Sequence, residues 1–121
     1  MSLHIELATD VEKMFEAHLS APVEQKQDAL VVTLDNGVTL TVRYAAPDAY
    51  SLRWERDGAE AGIDTAPLHR ELATFPNHLH DTRGRVRADP VTRPDRRPAD
   101  NVAELIRALL ANPALGADDG A

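Results

Sequence analysis

The sequence predicts an α+β domain in which two amphipathic helices cover one face of a small antiparallel sheet. Two tight-turn signals, Asn36-Gly37 and Asp57-Gly58, separate stretches of alternating apolar and polar residues. Apolar residues recur at helical spacing near both ends of the chain. With 121 residues the chain can bury one core, so we expect a single domain with a meander of four to five strands.

The first helix is predicted over residues 9–19, within an N-terminal segment (1–28) made of this helix and a connection. Thr9 and Glu12 form a capping box, and Val11 and Phe15 begin an apolar stripe at helical spacing. Pro22 then ends the helical pattern and opens the connection.

The meander is predicted over residues 29–64. Asn36-Gly37 should supply the two positive φ angles of a hairpin turn, and the next strand alternates strictly from Val38 to Tyr44. A third strand follows, and Asp57-Gly58 returns the chain through residues 60–64. One face of this sheet is apolar, and the other is a solvated or binding surface that carries Thr39, Thr41, Arg43, Ser51 and Arg53.

After the meander the chain changes character. Residues 65–81 show neither a helical nor a strand period and hold three of the five histidines, which is typical of a loop that displays functional groups. Residues 82–99 form a proline- and arginine-rich arm with room for one short strand near 85–87. A second helix is predicted over 100–112 with Asp100 as its N-cap, and a disordered tail over 113–121.

Composition excludes several classes of protein. Without cysteine the chain can form neither disulfides nor thiolate metal sites. It shows no signal peptide and no run long enough to span a membrane, so a cytoplasmic location is expected. Glycine-rich phosphate loops, glycine-flanked nucleophilic serines and HExxH motifs are also missing from the sequence.

The charge is distributed unevenly. The formal net charge is -7, yet residues 65–97 carry seven arginines against four acidic residues. This asymmetry fits a local anion-binding face on an acidic body, and it also fits arginines in a solvated loop.

Three histidines suggest proton chemistry. His78 and His80 are two residues apart and leave the same face of an extended backbone, and His69 could fold back to them. Cleavage of a phosphodiester needs a base, an acid and a cation. These histidines can supply the first two roles, and Arg70, Arg83 and Arg85 are the candidates for phosphate contact.

Two other interpretations stay open. A metal site could use His78 and His80 with one further ligand. Alternatively, the histidines cap turns, pack on aromatic rings such as Trp54 or Phe75, and bond to backbone carbonyls. The candidates for the further metal ligand are His69, Asp64, Glu71 and Asp81.

The run YSLRWERDG, the segment DTAPLHRELATFPNHLH, the proline-rich arm and the C-terminal helix together resemble the TumE-type toxin family over about residues 29–110. Members show a strand close to Y-x-[YF]-H-[WY]-x-[DN]-x-x-G and a signature close to D-N-A-P-H-H-x-E-[LI]-x-[TS]-F-P-H-H-x-H. His69, His78 and His80 stand where this pattern has histidines. Histidines of the pattern are replaced by Arg53, Leu68 and Asn77, and its asparagine by Thr65.

The resemblance implies a toxin encoded beside a helix-turn-helix antitoxin protein and acting on RNA or translation. Together with the acid, base and cation set, it suggests a metal-independent endoribonuclease without a cofactor, in which His78 and His80 transfer protons and His69 assists. The alternatives are a non-enzymatic protein-binding module, whose replaced histidines mark a diverged or inactive member, and a metal-binding domain. The polar sheet face permits a homodimer.

Overall fold

The computed structural model describes residues 3–117. Two α-helices enclose, in chain order, a short 3-10 helix and the strands of one sheet. The elements are α1 (Leu3–Phe15), the 3-10 helix (Glu16–His18), β1 (Glu24–Lys26), β2 (Ala29–Thr33), β3 (Thr39–Ala46), β4 (Ala49–Arg56), β5 (Ala59–Asp64), β6 (His78–His80), β7 (Val86–Ala88) and α2 (Pro98–Ala111).

The sheet is an antiparallel meander in which every strand pairs with the next one along the chain. The α+β class is therefore confirmed. The predicted count of four to five strands was too low, because residues 3–117 form seven. Strands β1 and β6 were not predicted, because three residues each are too few to show an apolar period. Strand β7, also of three residues, lies where one short strand was expected near 85–87.

One face of the sheet is apolar and is covered by the helices. Leu30, Val42, Leu52, Ile63 and Leu79 lie opposite one another on successive strands, and all are nearly inaccessible to solvent. They form one core cluster with the inward sides of both helices. The helical members of that cluster include Leu7, Val11 and Phe15 from α1 and Val102, Leu105, Ile106 and Leu109 from α2.

Helix α1 begins earlier than the sequence analysis predicted. It starts at Leu3, so Thr9 lies inside the helix and its Oγ1 donates to the carbonyl of Ile5 at 3.1 Å instead of capping the N-terminus. Leu7 joins Val11 and Phe15 on the buried side. The capping-box pattern was misleading here because a threonine hydroxyl can also bond back along a helix.

The two predicted tight turns differ. At Asp57-Gly58 both φ angles are positive, as predicted. At the first turn only Gly37 has a positive φ, and Asn36 instead accepts the N–H of Val38 through Oδ1 at 3.2 Å. The backbone bond from Leu34 N–H to the Val38 carbonyl leaves a three-residue loop, 35–37, and a type I turn followed by one residue of positive φ closes such a loop.

Helix α2 begins with Pro98 in its first turn and follows Arg97, so Asp100 is not the N-cap that was predicted. The start of the predicted disordered tail is ordered in turns, and Leu115 accepts the indole N–H of Trp54 at 2.9 Å. The rest of that tail, 118–121, lies outside the described residues. Neither α-helix within 3–117 combines the length and apolar character needed to cross a bilayer.

Candidate active site

The polar face of the sheet gathers an aspartate and two histidines. Asp64 ends β5 and lies directly opposite His78, the first residue of β6. His80, two residues along β6, leaves the same face opposite Gly62. Side chains alternate along a strand, so the pairing that buries Leu79 in the core also turns both imidazoles outward.

Asp64 is the centre of this cluster. Its Oδ1 lies 3.0 Å from His78 Nε2 and accepts the backbone N–H of Ala66 at 3.0 Å. Its Oδ2 lies 3.0 Å from His80 Nε2. Three nitrogen donors therefore converge on one carboxylate, which ties β5, β6 and the start of the loop together.

His78 faces an oxygen on each side of its ring. Nδ1 lies 3.1 Å from the carbonyl oxygen of Pro76, which can only accept. Nε2 lies 3.0 Å from Asp64 Oδ1. Because the His78 side chain is only 1% exposed, its ring cannot contact a substrate directly.

His80 is more accessible. Its side chain is 40% exposed, and its Nε2–H donates a hydrogen bond to the Asp64 carboxylate. In the neutral ring the lone pair is then on Nδ1, which makes no hydrogen bond to residues 3–117. A carboxylate that orients an imidazole in this way stabilises the imidazolium formed when the free nitrogen takes a proton.

The loop between β5 and β6 brings the third histidine over the cluster. The His69 ring centroid lies 4.8 Å from that of His78, which in turn lies 4.6 Å from that of His80. The His69 side chain is 30% exposed, and its Nδ1 lies 3.7 Å from Glu71. The three imidazoles therefore sit together, as the sequence predicted.

Buried hydrogen bonds hold this loop in place. The Asn77 amide donates to the Tyr50 hydroxyl at 2.7 Å and to Asp89 at 3.1 Å, and Thr92 completes the network. Burial raises the pKa of the Tyr50 phenol, so it stays neutral and able to donate. The Thr74 hydroxyl joins this network by accepting the N–H of Asp89 at 2.8 Å.

The predicted phosphate contacts are not all beside the histidines. Arg70 is exposed in the same loop and stacks over Phe75, 5.8 Å from the ring centroid. Arg83 lies in the turn after β6. Arg85 bonds to Asp81 at 2.8 Å, and strand alternation directs Asp81 away from the face of His80.

Asp81 organises that turn. Burial alone would raise the pKa of its carboxyl, but backbone N–H groups of Arg85 and Arg83 and the Arg85 guanidinium outweigh it and hold the pKa below its usual range. The carboxylate thus fixes the β6–β7 turn, and Arg85 is committed to structure.

The three positions where histidines of the resembled pattern are replaced have different surroundings. Leu68 is 73% exposed, and Asn77 is buried in the loop network, away from His78. Arg53 lies in the same row as His80, with Gly62 between them, and pairs with Glu60. Only position 53 therefore faces toward the cluster across the sheet.

The cluster could also hold a cation. One ligand atom each from Asp64, His78 and His80 lie within 4.8 Å of one another. Imidazole and carboxylate suit zinc and similar ions, and the bond from His78 to a backbone carbonyl is the kind that orients metal-binding imidazoles.

Two residues near the cluster were not singled out as site residues by the sequence analysis. Gly62 leaves the space between Arg53 and His80 without a side chain, since a Cβ there would lie 3.1 Å from the Leu52 carbonyl and 3.3 Å from Arg53. Arg43 lies in one row with Asp64 through Ser51. The alternation of β3 and β4 was the signal that could have found this row.

The comparisons with known proteins give one match. A protein-family model described as Toxin TumE matches residues 5–112, which is most of the chain. No curated protein and no solved structure matches the chain significantly.

Proposed function

The chain belongs to the TumE toxin family, and from that premise we propose that it acts in the cytoplasm as an endoribonuclease restrained by a helix-turn-helix antitoxin. The supporting observation is the Asp64-oriented His80, whose Nδ1 faces no partner within residues 3–117. His80 and His69 are the proposed proton-transfer residues, and His78 acts indirectly, through Asp64.

The reaction follows from the free nitrogens. His80 Nδ1 takes the proton of a ribose 2′-hydroxyl, and the 2′-oxygen attacks the adjacent phosphorus. The bond from phosphorus to the 5′-oxygen breaks, and the 5′-oxygen takes a proton from His69, whose ring is partly exposed. The products are a 2′,3′-cyclic phosphate and a 5′-hydroxyl, and no metal is required.

His78 is a positioning residue in this scheme. Its buried ring holds Asp64, and Asp64 holds the tautomer of His80. Arg70 is the nearest of the predicted phosphate contacts, because it lies beside His69 in the loop. Arg83 and Arg85 can contribute only to the field around the site, since they lie in the turn that Asp81 fixes.

The test is cleavage of a mixed-sequence single-stranded RNA, together with growth arrest on expression. His80→Ala should lower the cleavage rate by about 10²- to 10⁴-fold. His18→Ala is the matched control, because His18 is an exposed histidine outside the cluster, 3.9 Å from Asp35. A wild type that cleaves no RNA, or a His80→Ala variant as fast as the control, would overturn the proposal.

His78→Gln tests the positioning role. We expect it to change the pH profile of cleavage, because Asp64 then holds His80 less firmly. A purely structural role would lower the amount of folded enzyme and leave the profile of the remaining activity where it was.

A metal-binding domain is the second candidate, favoured by the 4.8 Å grouping of Asp64, His78 and His80. Elemental analysis of the protein and a zinc-dependent rise in melting temperature would support it. Cleavage that persists in EDTA supports the metal-independent reaction, whereas loss of cleavage in EDTA and its return with zinc supports the second candidate.

A further inference from the structure

An open cavity of about 400 Å³ lies on the polar face of the sheet, directly beside Asp64. Its floor is built from three methyl groups, and an arginine stands at its side. We propose that this cavity, the alanine shelf, binds one nucleotide of the RNA next to the cleaved bond, an inference that rests on the proposed function. The shelf comprises Arg43, Ala45, Ala49, Ser51, Asp64 and Ala66.

The register of the sheet places the shelf next to the histidines. Arg43, Ser51, Asp64 and His78 lie opposite one another on four successive strands and so share one face. Strands are about 4.8 Å apart, so the Cα atoms of Arg43 and Asp64 are separated by about 10 Å. An arginine side chain spans much of that distance, and its guanidinium can therefore reach a phosphate beside the cluster.

The charge of Arg43 is available. Its side chain is exposed and makes no hydrogen bond or ion pair with residues 3–117. Arg53 lies on the same face of the neighbouring strand β4, two residues from Ser51, which is opposite Arg43. In contrast to Arg43, it is paired with Glu60. A guanidinium without a carboxylate partner matches a phosphate through two parallel hydrogen bonds.

The negative charge of Asp64, which lines the shelf, is offset by its neighbours. Two imidazole nitrogens and one backbone N–H lie 3.0 Å from this carboxylate. Arg43 lies in the same row of the sheet, so its guanidinium adds positive charge on the side from which a phosphate would approach.

The shape of the shelf suits a ribose and base. Ala45 lies at an irregularity of the β3–β4 pairing, between Tyr44 and Ala46, where the strand register shifts. Bulges of this kind bend the strand locally and are frequent near active sites. Because Ala45, Ala49 and Ala66 carry only methyl groups, they leave an apolar surface on which a flat ring can lie.

The binding test uses RNA that cannot be cleaved. A short single-stranded RNA with 2′-O-methyl groups is titrated into the wild type, Arg43→Ala and the matched control Arg53→Ala, with fluorescence anisotropy as the readout. Arg43→Ala should weaken binding at least about tenfold. It should also reduce the slope of log K against log[salt] by about 0.7, the share of one phosphate contact on a single strand. Arg53→Ala should do neither.

A second measurement locates the base. Nucleoside 3′-monophosphates are added to labelled protein, and we expect amide shifts at Ala45, Ser51 and Thr65. Ala45→Leu, a change at an exposed position, should fill the shelf and remove these shifts while the melting temperature stays close to that of the wild type.

These results separate the shelf from the proposed reaction. Binding that depends on Arg43 in a protein that cleaves no RNA supports the shelf and overturns the nuclease. If the wild type cleaves RNA but Arg43→Ala and Arg53→Ala bind RNA equally well, the shelf alone is overturned. A wild type that binds neither probe overturns the shelf as well.

Discussion

Replacing Asp64 by alanine should destabilise the domain because it removes the acceptor that His78 needs. The His78 side chain is 1% exposed, so its Nε2 cannot turn to water for a new partner. Losing this acceptor leaves an unsatisfied buried nitrogen, which costs about 1–3 kcal/mol.

The other two donors to Asp64, His80 and the backbone N–H of Ala66, contribute less to the loss of stability. His80 is 40% exposed and can be hydrated, so its bond to Asp64 is worth about 0–1 kcal/mol. We therefore expect Asp64→Ala to lower the free energy of unfolding by about 1–4 kcal/mol in total. For a domain of this size, that loss lowers the melting temperature by about 3–24 °C.

The assay is urea unfolding at pH 7 followed by Trp54 fluorescence, with thermal melting by circular dichroism. Asp48→Ala is the control, because Asp48 is an exposed carboxylate in the β3–β4 turn, and its loss should stay within about 0.5 kcal/mol. Asp64→Asn should cost about 1 kcal/mol, since its amide can donate to a neutral His78 and accept from His80. If Asp64→Ala and Asp48→Ala unfold together, the buried bond between Asp64 and His78 does not exist as described.

Three further outcomes follow from the same structure. Trp54→Phe removes the hydrogen bond to the Leu115 carbonyl and should lower the free energy of unfolding by about 1 kcal/mol. Amide hydrogen exchange should become faster over residues 113–117, and unchanged exchange there would contradict the contact. Gly62→Ala brings a Cβ to 3.1 Å from the Leu52 carbonyl and should cost about 1–3 kcal/mol in urea unfolding, so a neutral result would mean that the strands move apart freely. Asp81 has a lowered pKa, so its stabilisation is present above the ordinary pKa of an aspartate and is lost as pH falls through the folded value. Asp81→Asn should therefore be less stable than the wild type at pH 7 in thermal melts, with a difference that narrows in acid, and a constant difference would refute this.

Much of the sheet could be predicted from the sequence because its long strands have one buried face. In β3 and β4, eight residues each, apolar side chains alternate with polar ones, and this signal is independent of distant contacts. Strand β1 gave no such signal because all three of its residues are exposed. Strand β6 has a single core residue, Leu79, between two histidines, so a loop was the reasonable expectation.

Most residues of the candidate site could be predicted from the sequence, but the contacts between them could not. The grouping of His69, His78 and His80 was expected from their spacing. Asp64 stood only among the further metal ligands, because nothing local shows that β5 pairs with β6 in the register that sets it opposite His78. Arg85 was grouped with the histidines because it is close to them in sequence, and nothing local shows that its guanidinium bonds to Asp81.

The order of the strands bears on how the toxin is made. Each strand pairs with the one synthesised just before it, so the sheet can assemble while the chain is still emerging from the ribosome. Only α1 can cover its apolar side until α2 arrives, and Asn101 of α2 also bonds both backbone groups of Arg93, at the end of the arm that braces the histidine loop. A partly translated chain therefore lacks both its final covering helix and this anchor, and a cell that makes the toxin meets the complete fold only after the last helix has emerged.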